Sequence, residues 1–321
     1  MKFFIQVTKT ANKFHFISNL TDWHFSCRES DNKRWLEETG KLTQKEKNAL
    51  KLFTKILKKY DFGENFIGKP FTRNNDKEIW KNIKKFINKK EFERIQEIFY
   101  VFDKRFEKIW KKERDRLKFW KIKLQKYLSK YKGNKEIFGK SKIFFRAKNL
   151  PSTMEIYLLI GSGGGGANIG KGAITLDFSN RPISHLKYAL GVITHETLHL
   201  IANSSQYYLK NLKKTAESLS VPRKNSLISG KRRKRSIVNE AIIGAICPEG
   251  YVFTKYFLNL SDKKANKYFE KRIHNAKNKF SEWRTFSAKK LYFITKDYFE
   301  NKKPIDKEFF NTTIQIFKKF N

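Results

Sequence analysis

The chain is predicted to be an α+β protein, mostly helical, with a small β-sheet preceding one helix that carries the string HETLH. Three observations predict this. Apolar residues recur at three-four spacing over much of the 321 residues, which is the period of helices with one face on a core. Short apolar, β-prone runs flank a glycine-rich stretch near the middle of the chain, as in paired strands joined by a loop. Thirty Phe, thirteen Tyr and six Trp supply a substantial core and argue against disorder.

Taken in order, residues 3–7 read as a short strand. Thr43–Tyr60 reads as a helix opened by the capping-box pair Thr43 and Glu46. A further helix covers about 76–88. From Phe92, apolar residues fall at 92, 95, 99, 102, 106 and 109, then at 120, 124, 127 and 131. That stripe predicts one long helix or two in line, interrupted at Glu113 and ended by Gly133 and Asn134. Its aromatic content favours packing within a helical lobe over an intermolecular coiled coil. Residues 154–160 (MEIYLLI) and 173–178 (AITLDF) read as strands on either side of GSGGGGANIGKG. Ser184–Ala202 reads as a helix, with Pro182 and Ser184 as start signals and Asn203 before two serines as the stop. A second apolar helix follows Asn239, and three more cover Asp262–Phe280, Ala288–Glu300 and Ile305–Phe320. The expected organisation is a mainly helical N-terminal lobe over residues 1–136 and a second region over 137–321, containing the sheet near 142–178 and a helical C-terminal part. The site described next is expected where these parts meet.

His195, Glu196, Thr197, Leu198 and His199 form an H-E-x-x-H string, which should arise by chance on the order of 0.01 times in a chain of this composition. On a helix its two imidazoles stand one turn apart on one face, able to grip one Zn²⁺, with Glu196 beside them to act on a water. Two histidines on an otherwise apolar helix would be costly to bury without partners for their ring nitrogens, and a metal supplies that partner. A catalytic zinc takes three protein ligands and keeps a position for solvent. Ala202 and Ser205 stand where the extended motif has Gly and a third His, so the third ligand is expected to be a carboxylate. Glu240, in NEAIIGA, opens an apolar helix; Glu217, in TAESLS, has polar neighbours. Burial favours Glu240, with Glu217 as the alternative.

HETLH followed by a helix carrying NEAIIGA resembles the gluzincin zinc metallopeptidases, over about residues 150–250. The resemblance implies a zincin-like catalytic region, His195, His199 and Glu240 as zinc ligands, Glu196 as general base and a peptide or protein as substrate. Two departures point to a distant branch. Gly244 stands where thermolysin-like members carry an acid that supports a histidine, and the interval from His199 to Glu240 is long and Lys/Arg-rich. Tyr251, Tyr256 and His274 are candidates for the donor that steadies the oxyanion.

Gly165–Gly172 comes close to a phosphate-binding loop. It fails because Gly172 stands where Ser or Thr would bind Mg²⁺ and a strand follows instead of a helix. The glycines are expected to form a hairpin loop or a flap. Ala173–Phe178 is expected to offer an exposed edge on which an extended substrate could pair.

Formal charge is +39, with 40 basic and 18 acidic side chains in residues 1–150 and 30 and 13 in 151–321. A surface this basic attracts polyanions non-specifically, nucleic acid included, and less so as salt rises. Lys231–Arg235 is the sharpest cluster and is expected on a solvated loop. Cys27 and Cys247 give no disulfide framework. The N-terminus is too short in apolar residues for a signal-peptide core, and no stretch approaches a membrane span. A cytoplasmic protein is the expectation. Two other functions stay open: a basic nucleic-acid-binding protein with a structural or degenerate metal site, and a hydrolase of non-peptide amides.

Overall fold

The run after Ser152 is apolar at almost every position because it becomes a strand covered on both faces. In the computed structural model of the protein, Met154, Ile156, Tyr157, Leu158 and Leu159 are all buried, the pattern of a central strand in a parallel sheet. The described residues are 1–23, 27–60, 76–131, 133–150, 152–162, 166–170, 173–219, 230–276 and 279–319. They fall into two compact units. A sheet unit comprises residues 2–129 and 153–185, and a helical unit comprises residues 130–152 and 186–321 with Met1. The fold is α+β and mostly helical, with the sheet ahead of the HETLH helix in the chain.

In the sheet unit, β1 (Lys2–Gln6), β2 (Thr153–Leu159), β3 (Gly166–Gly170) and β4 (Ala173–Asp177) are ordered β1-β2-β4-β3. β1 and β4 both run parallel to β2, and β3 runs antiparallel to β4. Two expectations change here. Part of the glycine-rich run pairs as β3, and the rest of the Gly165–Gly172 segment lies outside the described residues. β4 is hydrogen-bonded on both sides, so its backbone groups are spent within the sheet and it offers no edge for a substrate strand.

Helices α1 (Lys9–Leu20), α2 (Glu29–Thr39), α3 (Gln44–Lys59), α4 (Asp76–Ile83), α5 (Lys89–Val101) and α6 (Asp103–Lys130) build most of the rest of this unit. Asn12 ties α1 to the end of β2. Its amide donates to the Leu158 carbonyl (3.2 Å) and accepts from the Ile160 N–H (2.7 Å). The capping box at α3 is complete, and Glu46 also receives the Arg105 guanidinium at 2.7 and 2.9 Å. The apolar stripe from Phe92 is two helices broken at Phe102. Its interruption, Glu113, is only 1% exposed, held by Arg34 and Ser179. Gly133 opens the next helix instead of ending the previous one.

The helical unit contains α7 (Gly133–Phe144), α8 (Leu186–Asn203), α9 (Gln206–Glu217), α10 (Gly230–Ile246), α11 (Asp262–His274), α12 (Lys279–Glu300) and α13 (Lys307–Lys318). α8 is buried almost all round from Ala189 to Ala202, its polar string HETLH included. Phe144, Phe145, Tyr208, Phe299, Phe309 and Phe310 pack ring against ring and link α7, α9, α12 and α13. The basic cluster falls on the first turns of α10 and not on a loop; Lys234 and Arg235 are exposed, and the side chains of Lys231–Arg233 lie outside the described residues. Among the described residues no helix is long and apolar enough to cross a membrane.

Candidate metal centre

Two adjacent helices of the helical unit bring three donor groups to one point. α8 supplies His195 and His199, whose i,i+4 spacing sets their rings edge to face with centroids 4.5 Å apart. α10 supplies Glu240. The two Nε2 atoms are 3.0 Å apart, and the Glu240 carboxylate oxygens lie 3.3 Å from Nε2 of His195 and 3.0 Å from Nε2 of His199. Ligands on a tetrahedral metal at bond lengths near 2.0–2.1 Å stand about 3.3 Å apart. These three groups match that spacing within a few tenths of an ångström, and they form the cluster able to hold a metal ion among the described residues. All three belong to the helical unit.

The outer nitrogens hold the rings in place. Nδ1 of His195 lies 2.7 Å from the Cys247 carbonyl, which can only accept, so Nδ1 donates to it and Nε2 faces Glu240 and His199. That carbonyl is positioned because the chain turns back over the end of α10, with Glu249 and Gly250 N–H groups both bonded to the Gly244 carbonyl. The turn is close: a Cβ on Gly250 would fall 1.5 Å from the Ala245 oxygen, so only glycine fits there. Nδ1 of His199 meets the Asn239 side-chain amide at 3.1 Å, and Asn239 in turn bonds the buried Tyr208 hydroxyl at 2.6 Å. Burial, and then the charge of Glu240, push the Tyr208 hydroxyl far above its ordinary pKa, so it stays protonated. Burial works to raise the Glu240 carboxyl, but the imidazoles of His199 and His195 outweigh it and hold the group well below the usual carboxylate range. About a third of the Glu240 side chain, 34%, remains accessible, which leaves the cluster open on one side.

Glu196 is buried on α8 directly after His195. Glu217 is exposed on the last turn of α9 and is not in the cluster. The three candidate oxyanion donors have the following surroundings. Tyr251 donates to Glu300, Tyr256 bonds Glu136 (2.8 Å) and Lys140 (3.1 Å), and His274 is exposed at the end of α11. The two tyrosines serve a network of charges that joins α7 to α12.

Sequence reasoning passed over several residues here. Asn239 was visible beside Glu240 but reads equally well as a helix-start residue. The Cys247 carbonyl has no side-chain signature. Gly244, which lacks the acid of thermolysin-like chains, has a spatial cause: a Cβ there would meet Glu249 Oε2 at 2.8 Å and Arg284 at 3.2 Å. The room is taken by a buried ion pair, Arg284 Nη2 to the Glu249 carboxylate at 2.8 and 3.0 Å. Support for His195 comes from backbone instead. No family model, curated protein or solved structure matches this chain.

Proposed function

We propose that the chain is a zinc-dependent hydrolase of peptide bonds, of the gluzincin type. The reading is carried by one observation, the convergence of Nε2 of His195, Nε2 of His199 and the Glu240 carboxylate on the same point. A divalent ion at that point would be within reach of all three groups at once. Nitrogen and carboxylate donors in this number suit zinc, and the accessible side of Glu240 leaves solvent a way in.

His195, His199 and Glu240 would hold the metal. When bound, it would supply Lewis-acid polarisation of the scissile carbonyl and of the attacking water. Glu196 takes a proton from that water on its carboxylate and returns it to the leaving nitrogen. Asn239 sets its amide nitrogen against Nδ1 of His199 and accepts on its amide oxygen from the Tyr208 hydroxyl, which positions that ring as the Cys247 carbonyl positions His195. A reducing, cytoplasmic setting belongs to the same proposal, in keeping with two cysteines that form no disulfide.

Elemental analysis and peptide cleavage test the reading together. The expected outcome is about one zinc per chain, retained in Glu196→Gln with cleavage reduced on the order of 10²–10⁴-fold, and lost in Glu240→Ala and His199→Ala. Metal retained in Glu240→Ala but lost in Glu217→Ala would overturn the ligand set. Bound zinc without cleavage of any peptide, together with hydrolysis of a non-peptide amide, would move the reading to that substrate class. Absence of both hydrolytic activities with a steep salt dependence of DNA or RNA binding would favour a nucleic-acid-binding protein.

A further inference from the structure

The ion pair that occupies the space beside Gly244 also forms the wall of a cavity of about 720 Å³, lined among others by Tyr188, Glu249, Tyr268, Lys271, Arg272 and Arg284. Its distance from the metal cluster is short. Gly244 follows Glu240 by one helical turn, about 6 Å along the axis, and Tyr188 precedes His195 by seven residues, close to two full turns on the same face of α8. The charge inside is unbalanced, with three cations, Lys271, Arg272 and Arg284, against the single carboxylate of Glu249. Arg284 is fixed by Glu249. Arg272 is 34% exposed, bonds the Tyr268 hydroxyl at 2.8 Å and lies 3.9 Å from Glu249. Burial acts to lower the basicity of both guanidinium groups, and the surrounding acidic groups outweigh it, so both stay charged. A pocket of this volume takes a residue-sized group, the Tyr188 and Tyr268 rings offer apolar surface, and planar guanidinium is the side chain that matches a carboxylate in geometry.

We infer that this cavity binds the carboxylate of a peptide, presented by Arg272 and Arg284 one helical turn from the metal cluster, and so sets the substrate class of the proposed hydrolase. This rests on the metallopeptidase reading for its meaning, but not for its measurement. A carboxylate seated there neutralises the surplus charge and places the neighbouring part of the peptide chain toward His195 and Glu240. The carboxylate could come from a chain terminus or from an acidic side chain, and the two are separable.

The test is calorimetric titration of the zinc-loaded Glu196→Gln protein with three peptides: N-acetyl-Phe-Leu-Phe as the free acid, its C-terminal amide, and N-acetyl-Phe-Leu-Glu-amide. The free acid is expected to bind at least tenfold more tightly than its amide. Arg272→Gln is expected to remove most of that preference with zinc content unchanged, and Arg272→Lys to keep part of it. Recovery of tight binding by the Glu amide, without preference for the free acid, assigns the cavity to an acidic side chain. Equal or no binding of all three peptides overturns the inference, as does a preference unmoved by both Arg272→Gln and Arg284→Gln. Carboxylate preference in a protein whose unmutated form cleaves nothing would remove the hydrolase reading and leave the pocket. Cleavage with equal KM for acid and amide would do the reverse.

Discussion

Two charged clusters in this protein differ in the groups that meet their carboxylates. In the sheet unit, Asp31 and Glu113 are each 1% exposed, and both are met by donors. Asp31 accepts from the Ser162 N–H (3.0 Å), the Ser162 hydroxyl (2.7 Å) and Arg34, while Glu113 accepts from Arg34 and the Ser179 hydroxyl. Acceptors face donors throughout, which is how buried charge is made tolerable within a fold. Gly161, at φ 141°, belongs to that arrangement, since a Cβ there would come within 3.1 Å of Asp31. In the helical unit the Glu240 carboxylate is met by Nε2 of His199 at 3.0 Å and of His195 at 3.3 Å, groups that donate to an acid or ligate a metal according to their protonation. A cluster of the first kind is complete as protein, whereas one of the second kind also has the donor set of a metal site. The Cys247 carbonyl positions the His195 ring in it.

The strongest way to break the comparison is to remove one member of the complete cluster. Glu113→Ala leaves Arg34 with one acid fewer and is expected to cost about 3–5 kcal/mol of stability, measured as a lower urea midpoint, with zinc content unchanged. A zinc loss in that variant would show that the two clusters are not independent. Chelation addresses the other cluster. Removing the proposed metal should lower the unfolding temperature by the equivalent of about 2.7 kcal/mol when zinc had been at a hundredfold excess over its dissociation constant, and should leave Glu240→Ala unaffected. A smaller effect is expected from Asn239→Ala, which frees the outer nitrogen of His199. Zinc affinity should fall about 10–100-fold with little change in thermal stability of the metal-free protein.

The smallest effect sharpens the contrast through pH. Burial holds the His15 imidazole down to about 4, against the pull of the Asp31 charge. Between about 6.5 and about 4 the unfolded chain binds a proton that the folded chain refuses. Stability is therefore complete above that window and declines as pH falls through it. Urea midpoints from pH 7 to 4.5 should show a slope that becomes shallower in His15→Gln; an unchanged slope would mean that this imidazole is protonated in the folded state.

Much of the local structure could be read from neighbouring residues, because local period carries it. The Thr43 and Glu46 box, the stripe through Phe92, Phe99 and Phe106, and the strand at 154–159 all appear where their patterns put them. The reading failed where a pattern was correct but its partner lay far away. Glu113 looked like a break in an apolar stripe, and its partners Arg34 and Ser179 lie 79 and 66 residues distant. Residues 173–178 looked like an edge until β3 paired beside them, since glycine-rich sequence such as 166–170 has no strand signature of its own. Tyr251 and Tyr256 were reasonable oxyanion donors by residue type, but their hydroxyls are bonded to Glu300 and Glu136.

By itself the sequence determined the mostly helical α+β class and the juxtaposition of His195 with His199, because a helix repeats every 3.6 residues and needs no distant information to align positions four apart. Tertiary structure alone decided that Glu240 and not Glu217 stands with them, that a carbonyl at Cys247 fixes one imidazole, and that Arg284 fills the space Gly244 leaves. These depend on how α8, α10 and α12 pack, and packing is set by long-range shape and burial that no local spacing encodes.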